Sequence, residues 1–286
     1  MACSRRVVTT DAWAVHRLDL EGYLARVGVP ARPPSRVALD ELHEAHVRTF
    51  TFDYIDVALD QHAGVDLDAV QAKFVGRGRG GYCFEHGTLF AAVLERLGYT
   101  VQRRLGRVPS SPDPARTHCV VAVTIDGTVL LADPGFGMSV LRPIELADGV
   151  VDEYGGWRFQ VGAVRLGDVR AWELRRWRDD RWELMHTHDE LPVTPVDLRV
   201  GHHYTSTFPE SHFRHGLAVT RHVDGGHVSI THRTLTVRRP GQPTEHREIG
   251  GAEVLEQILA LGVALTDDEQ QCLLTRIEAL RAESQT

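Results

Sequence analysis

The sequence predicts an α+β fold in three parts: an N-terminal helical bundle over residues 1–98, a central antiparallel β-barrel over residues 99–205 and a C-terminal α/β part over residues 206–286. Three observations support this division. Apolar residues recur at helical spacing through the first part, alternate at strand spacing through most of the second, and return to helical spacing after two further strands in the third. With 286 residues, 42% of them hydrophobic, the chain can bury a core large enough for several such units.

The first part contains four predicted helices, each an amphipathic run bounded by turn-forming residues. They are Leu18–Val27, Leu39–Phe50, Leu67–Phe74 and the helix that follows Cys83. A proline-rich segment from Pro30 to Pro34 separates the first two, and Gly98 marks the end of the last.

Strand signals dominate the second part and recur in the third. The predicted strands are Val101–Val108, Val120–Ile125, Val129–Ala132, Trp172–Trp177, Trp182–His186, Leu217–His222 and Val228–Val237. Turn signals at Arg178-Asp179-Asp180 and Asp224-Gly225-Gly226 join the last four into two hairpins, and Pro192 and Pro195 mark the link between the parts. The predicted helices Val254–Leu261 and Asp267–Leu280 close the chain.

Charge and composition exclude several classes of function. The formal net charge is −7 and the basic residues are dispersed, which argues against nucleic acid as the principal partner. No apolar run is long enough to cross a bilayer and the N-terminal residues do not resemble a signal peptide, so we expect a cytoplasmic protein without membrane contact. The scattered cysteines, Cys3, Cys83, Cys119 and Cys272, are expected to be free thiols. The sequence leaves the oligomeric state open, a homodimer included.

One of these cysteines stands where a glycine turn leads into an amphipathic helix, in the segment Gly80-Gly81-Tyr82-Cys83-Phe84-Glu85. At a helix N-terminus the dipole and the free N–H groups stabilise a thiolate, which makes a cysteine nucleophilic near neutral pH. Arg77 and Arg79 are expected to act in the same direction. The alternative is a small buried structural cysteine, and Cys83 alone does not decide between the two.

Two later residues supply the partners that a nucleophilic cysteine needs. His118 begins one predicted strand, Asp133 follows the next, and Asp126-Gly127 between them predicts a tight hairpin. Counting back from the turn puts His118 and Asp133 near the same end of the hairpin, unless the register slips by one residue. A carboxylate beside an imidazole fixes its tautomer and supports its protonated form, which then stabilises a thiolate. The sequence therefore predicts a Cys83-His118-Asp133 triad.

These residues resemble the motifs of the arylamine N-acetyltransferases. Residues 79–85 match the family's Arg-Gly-Gly-x-Cys-x-Glu motif. The family's histidine follows a threonine, as His118 follows Thr117, and residues 133–137 match its Asp-x-Gly-Phe-Gly motif. Segments 42–56 and 204–213 resemble two further family motifs, so that the resemblance covers nearly the whole chain.

The resemblance implies a cysteine-protease or transglutaminase-like core, with the third part as a lid over the cleft. It also implies acetyl-coenzyme A-dependent acetylation of arylamines or arylhydrazines, a reaction of xenobiotic metabolism, by a ping-pong mechanism in which Cys83 carries the acetyl group, His118 is the acid/base and Asp133 orients it. The residues that it assigns to coenzyme A are Thr117, Gly135, Gly137 and Phe213. The residues that it assigns to the acceptor are Phe52, Phe136 and Phe213, which can also be ordinary core aromatics.

Three departures from the family pattern concern the acceptor more than the triad. Gly87 stands where the family usually has Asn or Gln, so a side-chain hydrogen bond near the site is expected to be missing. Residues 51–55 read Thr-Phe-Asp-Tyr-Ile instead of Pro-Phe-Glu-Asn-Leu. Pro134 removes an N–H donor beside Asp133.

Two other patterns are typical of sites that we do not expect here. The histidine pairs resemble metal ligands, but no acidic or thiol partner stands at zinc-like spacing and the mechanism needs no metal, so none is predicted. These pairs are His43 and His46, His186 and His188, and His202 and His203. Residues 77–81 lack the Lys-Ser/Thr ending of a P-loop, and their glycines are better explained by the tight entry to Cys83.

Other functions of the same fold stay open. An amide synthase would close a macrolactam from a carrier-bound chain, a transglutaminase-like cysteine hydrolase would release an acid, and a binding protein would keep the fold without reaction. An amide synthase is distinguished by whether it uses free acetyl-coenzyme A, and a hydrolase by the water sensitivity of its acyl-enzyme. A binding protein is distinguished by an unreactive Cys83.

Overall fold

The computed structural model describes residues 10–111 and 113–283, so Cys3 lies outside it. The α-helices of the described residues are α1 (Leu20–Val27), α2 (Arg36–Thr49), α3 (Ile55–Ala58), α4 (Leu67–Gln71), α5 (Cys83–Arg96), α6 (Pro195–Thr207), α7 (Gly251–Ala260) and α8 (Asp267–Glu283). Short turns Thr10–Trp13 and Val15–Arg17 precede α1, and a π-helical turn, Ala72–Gly76, extends α4. Within residues 10–111 and 113–283 no helix combines the length and the apolar character needed to span a bilayer.

The strands of the same residues form two antiparallel sheets. They are β1 (Phe52–Asp53), β2 (Thr100–Arg107), β3 (His118–Ile125), β4 (Thr128–Ala132), β5 (Ile144–Glu145), β6 (Val151–Tyr154), β7 (Trp157–Leu166), β8 (Val169–Arg178), β9 (Arg181–Asp189), β10 (Ala218–Val223), β11 (Gly226–Thr231), β12 (Thr234–Arg238) and β13 (Glu245–Glu248). The larger sheet has the order β5-β4-β3-β2-β9-β8-β7-β6.

The inner face of this eight-stranded sheet encloses one apolar cluster, as the interior of a small barrel does. Residues from strands far apart in the order meet there, among them Val120, Leu131, Phe159, Trp172 and Met185. This arrangement confirms the predicted α+β fold with a central antiparallel barrel. Strand β7 lies within the predicted barrel region but was not itself predicted.

Strand β3 is buried on both faces and joins the barrel to the helices. Val120 points into the barrel cluster, whereas Val121 and Val123 pack in the helical core with α5 residues such as Leu89 and Phe90. This alternation is the period-two pattern of a strand. The helix that begins at Cys83 therefore packs directly against the outer face of the strand that begins at His118.

The smaller sheet, of order β1-β10-β11-β12-β13, carries α7 and α8 on one face. One prediction here is wrong, because Val228–Val237 is not a single strand. It divides into β11 and β12, since the Thr231 hydroxyl accepts hydrogen bonds from the backbone N–H groups of Arg233 and Thr234 and reverses the chain.

The link that sequence reasoning marked with Pro192 and Pro195 contains helix α6. Its start carries two signals that could have revealed it. Pro195 occupies the first helical position, and the Asp197 carboxylate accepts the Thr194 N–H at 2.8 Å, as in a capping box.

A buried ion-pair network ties the glycine loop before Cys83 to the C-terminal helix. Arg79 is 1% exposed and donates to Asp56 at 2.5 Å and to Glu269 of α8 at 3.2 Å. Arg77 also contacts Glu269, at 2.7 Å. Both guanidinium groups are thus matched by carboxylates and anchor the loop; their effect on the charge at Cys83 stays a prediction.

We predict that Arg79→Met lowers the free energy of unfolding by about 3 kcal/mol, because Asp56 and Glu269 lose a buried partner while Lys73 and Arg77 still pair with them. Arg77→Met is the matched control, since Arg77 reaches the same Glu269 from a side chain that is 45% exposed. Arg77→Met is expected to lower the free energy of unfolding by about 1 kcal/mol or less. Urea unfolding of both variants measures the difference, and equal losses would contradict the anchoring role of Arg79.

Candidate active site

Cys83 is the first residue of α5, as the sequence predicted. The two glycines before it are required by close packing. A Cβ atom on Gly80 would lie 1.8 Å from the Thr51 carbonyl oxygen, and one on Gly81 would lie 2.2 Å from the Glu85 carboxylate. Glu85 in turn accepts the Tyr82 N–H at 3.0 Å and so fixes the first turn of the helix. The glycines therefore serve the tight entry to Cys83, as expected.

The thiol of Cys83 lies between the start of β3 and the barrel interior. It is buried, and it donates to the Thr117 carbonyl oxygen at 3.4 Å. His118 follows Thr117, and Cys83 is near enough to raise the pKa of the His118 side chain. The cysteine and the histidine of the predicted triad therefore lie side by side.

His118 and Asp133 also meet. The Asp126-Gly127 turn has positive φ angles of 49° and 81°, and the strands that it joins pair Val121 with Ala132. This register puts His118 and Asp133 at diagonal positions on the barrel-facing side, two residues from Val120 and Leu131 respectively. The His118 Nε2 atom lies 3.1 Å from the Asp133 Oδ2 atom. The register slip that would have separated them does not occur.

A second histidine reaches the same carboxylate oxygen. His186 of β9 is fully buried, and its Nε2 atom lies 3.0 Å from Asp133 Oδ2. Its ring also packs 4.8 Å from that of His118. From the sequence, His186 is expected only in a histidine pair without a metal, whereas the structure brings it into the site.

A β-bulge explains why His186 points inward. Between β8 and β9 the register shifts at Leu174/Arg175, so that Leu174 pairs with His186, Arg175 pairs with Leu184, and Met185 is the extra residue. The bulge turns both Met185 and His186 toward the interior, which strict alternation along β9 would forbid.

The charges of these groups are coupled. Burial alone would lower the pKa of His118, but the Asp133 carboxylate and the hydrogen bonds to Asp133 and Cys83 raise it to about 10. Burial would raise the pKa of Asp133, and both histidines together hold it well below its usual range. His118 is therefore an imidazolium beside an ionised Asp133 at neutral pH.

His186 has the opposite charge state. Burial lowers its pKa and outweighs the hydrogen bond to Asp133, so the ring is neutral at pH 7. A neutral imidazole has one N–H, and the contact with a carboxylate oxygen requires that proton on Nε2. Among the residues that the structure describes, its Nδ1 atom has no hydrogen-bond partner, which agrees with an unprotonated nitrogen there. His186 therefore donates one neutral hydrogen bond to Asp133.

Gly87 is matched to a second cysteine. A Cβ atom at position 87 would lie 2.6 Å from the Cys119 sulfur, so Cys119 occupies the space of the missing side chain. Burial raises the pKa of the Cys119 thiol, and the Cys83 charge adds to this effect, which keeps Cys119 protonated. The cysteines of the described residues are free thiols.

The glycines and the threonine that resemblance assigns to coenzyme A lie around Cys83. Thr117 supplies the carbonyl that accepts the thiol, and a Cβ on Gly135 would lie 2.8 Å from the Cys83 Cα atom. Gly137 has φ +96°, and a Cβ atom on it would lie 3.5 Å from the ring of Phe52. Their part in binding stays a prediction.

The three phenylalanines border the same region. Phe136 packs edge-on against His118 at 5.2 Å, and Phe213 packs against Tyr82, the residue before Cys83, at 5.7 Å. Phe213 and Thr117 line a cavity of about 460 Å³ between the segment 110–117 and the end of α6. This cavity is large enough for a small aromatic molecule.

The pair His43 and His46 has partners in the core, and His43 Nδ1 lies 3.2 Å from the Leu141 carbonyl oxygen. The His46 ring bonds to Tyr23 and His86, and His86 bonds to the Thr51 carbonyl oxygen at 3.1 Å. Among the described residues one group, His118, Asp133 and His186, holds three metal-ligand atoms within 4.8 Å. Hydrogen bonds among these side chains already account for that spacing.

Comparison with known proteins agrees with the geometry. A family model described as N-acetyltransferase matches residues 37–268. The arylamine N-acetyltransferase of Mycolicibacterium smegmatis is 36% identical over 261 residues, 87% of this chain and 94% of the relative. The arylamine N-acetyltransferase of Escherichia coli K12 is 32% identical over 256 residues, 85% and 89% of the two chains.

Solved structures show the same similarity. The arylamine N-acetyltransferase of Mycobacterium abscessus superposes with a TM-score of 0.89 at 30% identity, covering 94% of this chain and 98% of the other. The Mycobacterium marinum arylamine N-acetyltransferase in complex with CoA superposes with a TM-score of 0.84 at 33% identity, covering 92% and 99%.

Proposed function

The chain belongs to the arylamine N-acetyltransferase family and is an acetyltransferase, and from this premise we propose that it moves the acetyl group of acetyl-coenzyme A to arylamines or arylhydrazines through an acetyl-Cys83 intermediate. The observation that carries this mechanism is the placement of Cys83 beside Thr117 and His118, with His118 Nε2 3.1 Å from Asp133 Oδ2. The raised pKa of His118 supports a thiolate and imidazolium pair at neutral pH.

In the first half-reaction the Cys83 sulfur attacks the thioester carbonyl carbon. The backbone N–H of Cys83, in the first turn of α5, is the donor that we propose for the oxyanion. As the carbon–sulfur bond to coenzyme A breaks, the His118 imidazolium gives its proton to the leaving thiolate. Acetyl-Cys83 and a neutral His118 remain.

In the second half-reaction the acceptor nitrogen attacks acetyl-Cys83. His118 takes the proton from that nitrogen, the bond to the Cys83 sulfur breaks, and an amide and the ion pair result. Asp133 offsets the charge of His118 in both steps. An arylamine suits this chemistry because it is neutral at pH 7 and attacks without prior deprotonation. Phe136 and Phe213 supply apolar surface beside it.

Intact-protein mass spectrometry tests the proposal directly. The protein is mixed with acetyl-coenzyme A without acceptor, and peptide mapping distinguishes Cys83 from Cys119 and Cys272. An arylamine such as aminobenzoic acid, or a hydrazine, is then added. We expect one acetyl group on Cys83 that disappears as acetylated amine forms.

Each other outcome selects a different function. An adduct that decays in water at the same rate without amine indicates a hydrolase. An adduct that no free amine discharges indicates a carrier-bound acceptor, as in an amide synthase. No adduct on Cys83 overturns the proposal.

We further propose that His186 is a positioning residue that holds the Asp133 carboxylate toward His118. We predict that His186→Phe, which keeps a planar ring but removes the donor, lowers kcat/KM by about 10- to 100-fold, the value of one hydrogen bond to a charged group. His186→Gln retains a donor and is expected to recover most of the loss. The pH profile of Cys83 alkylation should shift in the Phe variant alone.

A purely structural role would give a different pattern. In that case His186→Phe would lower the melting temperature without moving the pH profile, and the Gln variant would be no better than the Phe variant.

A further inference from the structure

A chain of buried hydrogen bonds crosses the helical core and ends at the loop before Cys83, and the proposed mechanism does not use it. The Tyr23 hydroxyl of α1 lies 2.9 Å from His46 Nδ1 of α2, and His46 Nε2 lies 2.8 Å from His86 Nδ1 of α5. His86 Nε2 then lies 3.1 Å from the Thr51 carbonyl oxygen. The three side chains are at most 1% exposed.

Chemistry allows the protons of this chain only one arrangement. A carbonyl oxygen only accepts, so the proton of His86 is on Nε2. Burial lowers the pKa of His86 to about 4, so at pH 7 its Nδ1 atom is unprotonated and accepts from His46 Nε2. Burial and the neighbouring His86 also lower the pKa of His46, so its Nδ1 atom accepts from the Tyr23 hydroxyl. Every donor therefore points toward the Thr51 carbonyl oxygen.

Aromatic rings surround the two imidazoles. His46 packs edge-on against Phe50 and Phe90, each at 5.1 Å, and Phe74 packs edge-on against His86 at 5.0 Å. In such apolar surroundings hydrogen bonds are stronger than in water and polarise one another along a chain. A broken bond there leaves a buried polar atom unpaired, which is costly. The chain therefore holds its last acceptor in place.

That acceptor, the Thr51 carbonyl oxygen, packs against the glycine loop. The Gly81 N–H donates to it at 3.2 Å, and a Cβ atom on Gly80 would lie 1.8 Å from it. In the other direction, the Asp53 N–H donates to the Gly81 carbonyl oxygen at 2.7 Å. Because Gly81 stands two residues before Cys83, the position of this segment determines where α5 begins.

His86 also contacts the segment that follows the triad carboxylate. A Cβ atom on Gly135 would lie 2.8 Å from the Cys83 Cα atom and 3.0 Å from the His86 Cβ atom, so the backbone after Asp133 packs against both. His86 stands three residues after Cys83, which makes the two neighbours on one helix face. We therefore expect the position of the His86 ring to affect the distance from the Cys83 sulfur to His118.

We propose that His86 is a positioning residue of the acetyl-transfer reaction: through the carbonyl oxygen at the end of the chain it holds the glycine loop so that the Cys83 sulfur lies beside His118. The other two side chains of the chain fix which nitrogen of His86 carries the proton. The inference rests on the proposed function, which makes Cys83 the nucleophile.

Two variants of His86 test the proposal. His86→Gln retains one acceptor and one donor, whereas His86→Phe keeps a planar ring without either. His43→Phe is the matched control, because His43 is also buried, stands three residues before His46 and bonds to a carbonyl oxygen outside the chain, that of Leu141. The measured quantities are the melting temperature and the second-order rate constant for alkylation of Cys83 by iodoacetamide at pH 7. Peptide mapping separates Cys83 from the other cysteines.

We expect His86→Phe to lower the alkylation rate constant about tenfold, the scale of one buried hydrogen bond. His86→Gln should recover most of this loss. His43→Phe should lower the melting temperature without changing the rate constant. The rate constants for acetylation of Cys83 by acetyl-coenzyme A should follow the same order.

Two further measurements hold even where a His86 variant does not fold. Tyr23→Phe removes a single hydroxyl from the far end of the chain and is expected to lower the alkylation rate constant about twofold, because the remaining bonds lose its polarising effect. In the wild-type protein, nitrogen-15 NMR at pH 7 should show an unprotonated Nδ1 atom on both His46 and His86.

Several results would overturn the proposal. One is an alkylation rate constant in His86→Phe or Tyr23→Phe equal to that of the wild type, and another is a protonated Nδ1 atom on His86. A loss in His86→Gln or in His43→Phe as large as in His86→Phe would also overturn it, because the effect then comes from core packing alone. Failure of the proposed function is distinguishable, since acetyl-coenzyme A then leaves no adduct on Cys83 while the order of the alkylation rate constants persists.

Discussion

Cys83→Ala is expected to abolish acetyl transfer, with kcat/KM falling by about 10⁵-fold or more, the scale observed when the nucleophile of a triad is removed. The physical reason is that the second half-reaction needs a covalent acetyl donor inside the site, and alanine cannot form one. Loss of the acetyl adduct in the intact mass and loss of arylamine acetylation should coincide. Folding of the variant is checked by its circular dichroism spectrum and melting temperature.

Two other cysteines provide controls of different burial. Cys272 is exposed, and Cys272→Ala should react as the wild type does. Cys119 is buried beside Gly87, and Cys119→Ala should retain the adduct even where packing lowers stability. An adduct that survives in Cys83→Ala would refute the assignment of the nucleophile.

Asp133→Asn is expected to lower kcat/KM by about 10³- to 10⁴-fold, as loss of the carboxylate does in a serine protease triad. The amide has nearly the shape of the carboxylate but no charge. Without that charge, burial dominates and the pKa of His118 falls, so the ring is neutral at pH 7 and no longer stabilises the Cys83 thiolate.

The pKa of His118 determines how the reactivity of Cys83 depends on pH in Asp133→Asn. In the wild type the imidazolium persists from acid pH up to about pH 10, the raised pKa of His118. In Asp133→Asn the His118 ring loses its proton already below neutral pH, so alkylation of Cys83 by iodoacetamide at pH 7 should slow. Asp126→Asn makes the same chemical change at the turn of the same hairpin, where asparagine accepts a positive φ, and should leave both measurements unchanged. Equal behaviour of the two variants would contradict the role of Asp133.

The helix start at Cys83 and the nearness of His118 to Asp133 could be predicted from sequence because both rest on local rules. A glycine turn followed by amphipathic spacing predicts the helix start at Cys83, and Asp126-Gly127 sets the register that brings His118 to Asp133. Each relation spans a few residues or one hairpin, so pattern and turn chemistry suffice.

The other parts of the site depend on tertiary packing that no local pattern encodes. His186 enters through a bulge, and a bulge reverses the alternation that sequence reasoning relies on. The pairing of Gly87 with Cys119 joins a helix to a strand across their packed faces. The carboxylates that form ion pairs with Arg77 and Arg79 lie elsewhere in the chain. The positions of the arginines in the sequence do not show which carboxylates these are.

The ion pair between Arg79 and Glu269 has a consequence for how the protein is made. The two residues are 190 positions apart, so the contact closes only when nearly the whole chain has left the ribosome. The helical part can form earlier, since domains generally fold in order from the N-terminus during synthesis. The loop that presents Cys83 nevertheless lacks its anchor until α8 emerges. We therefore expect the loop before Cys83 to reach its final form among the last steps of folding.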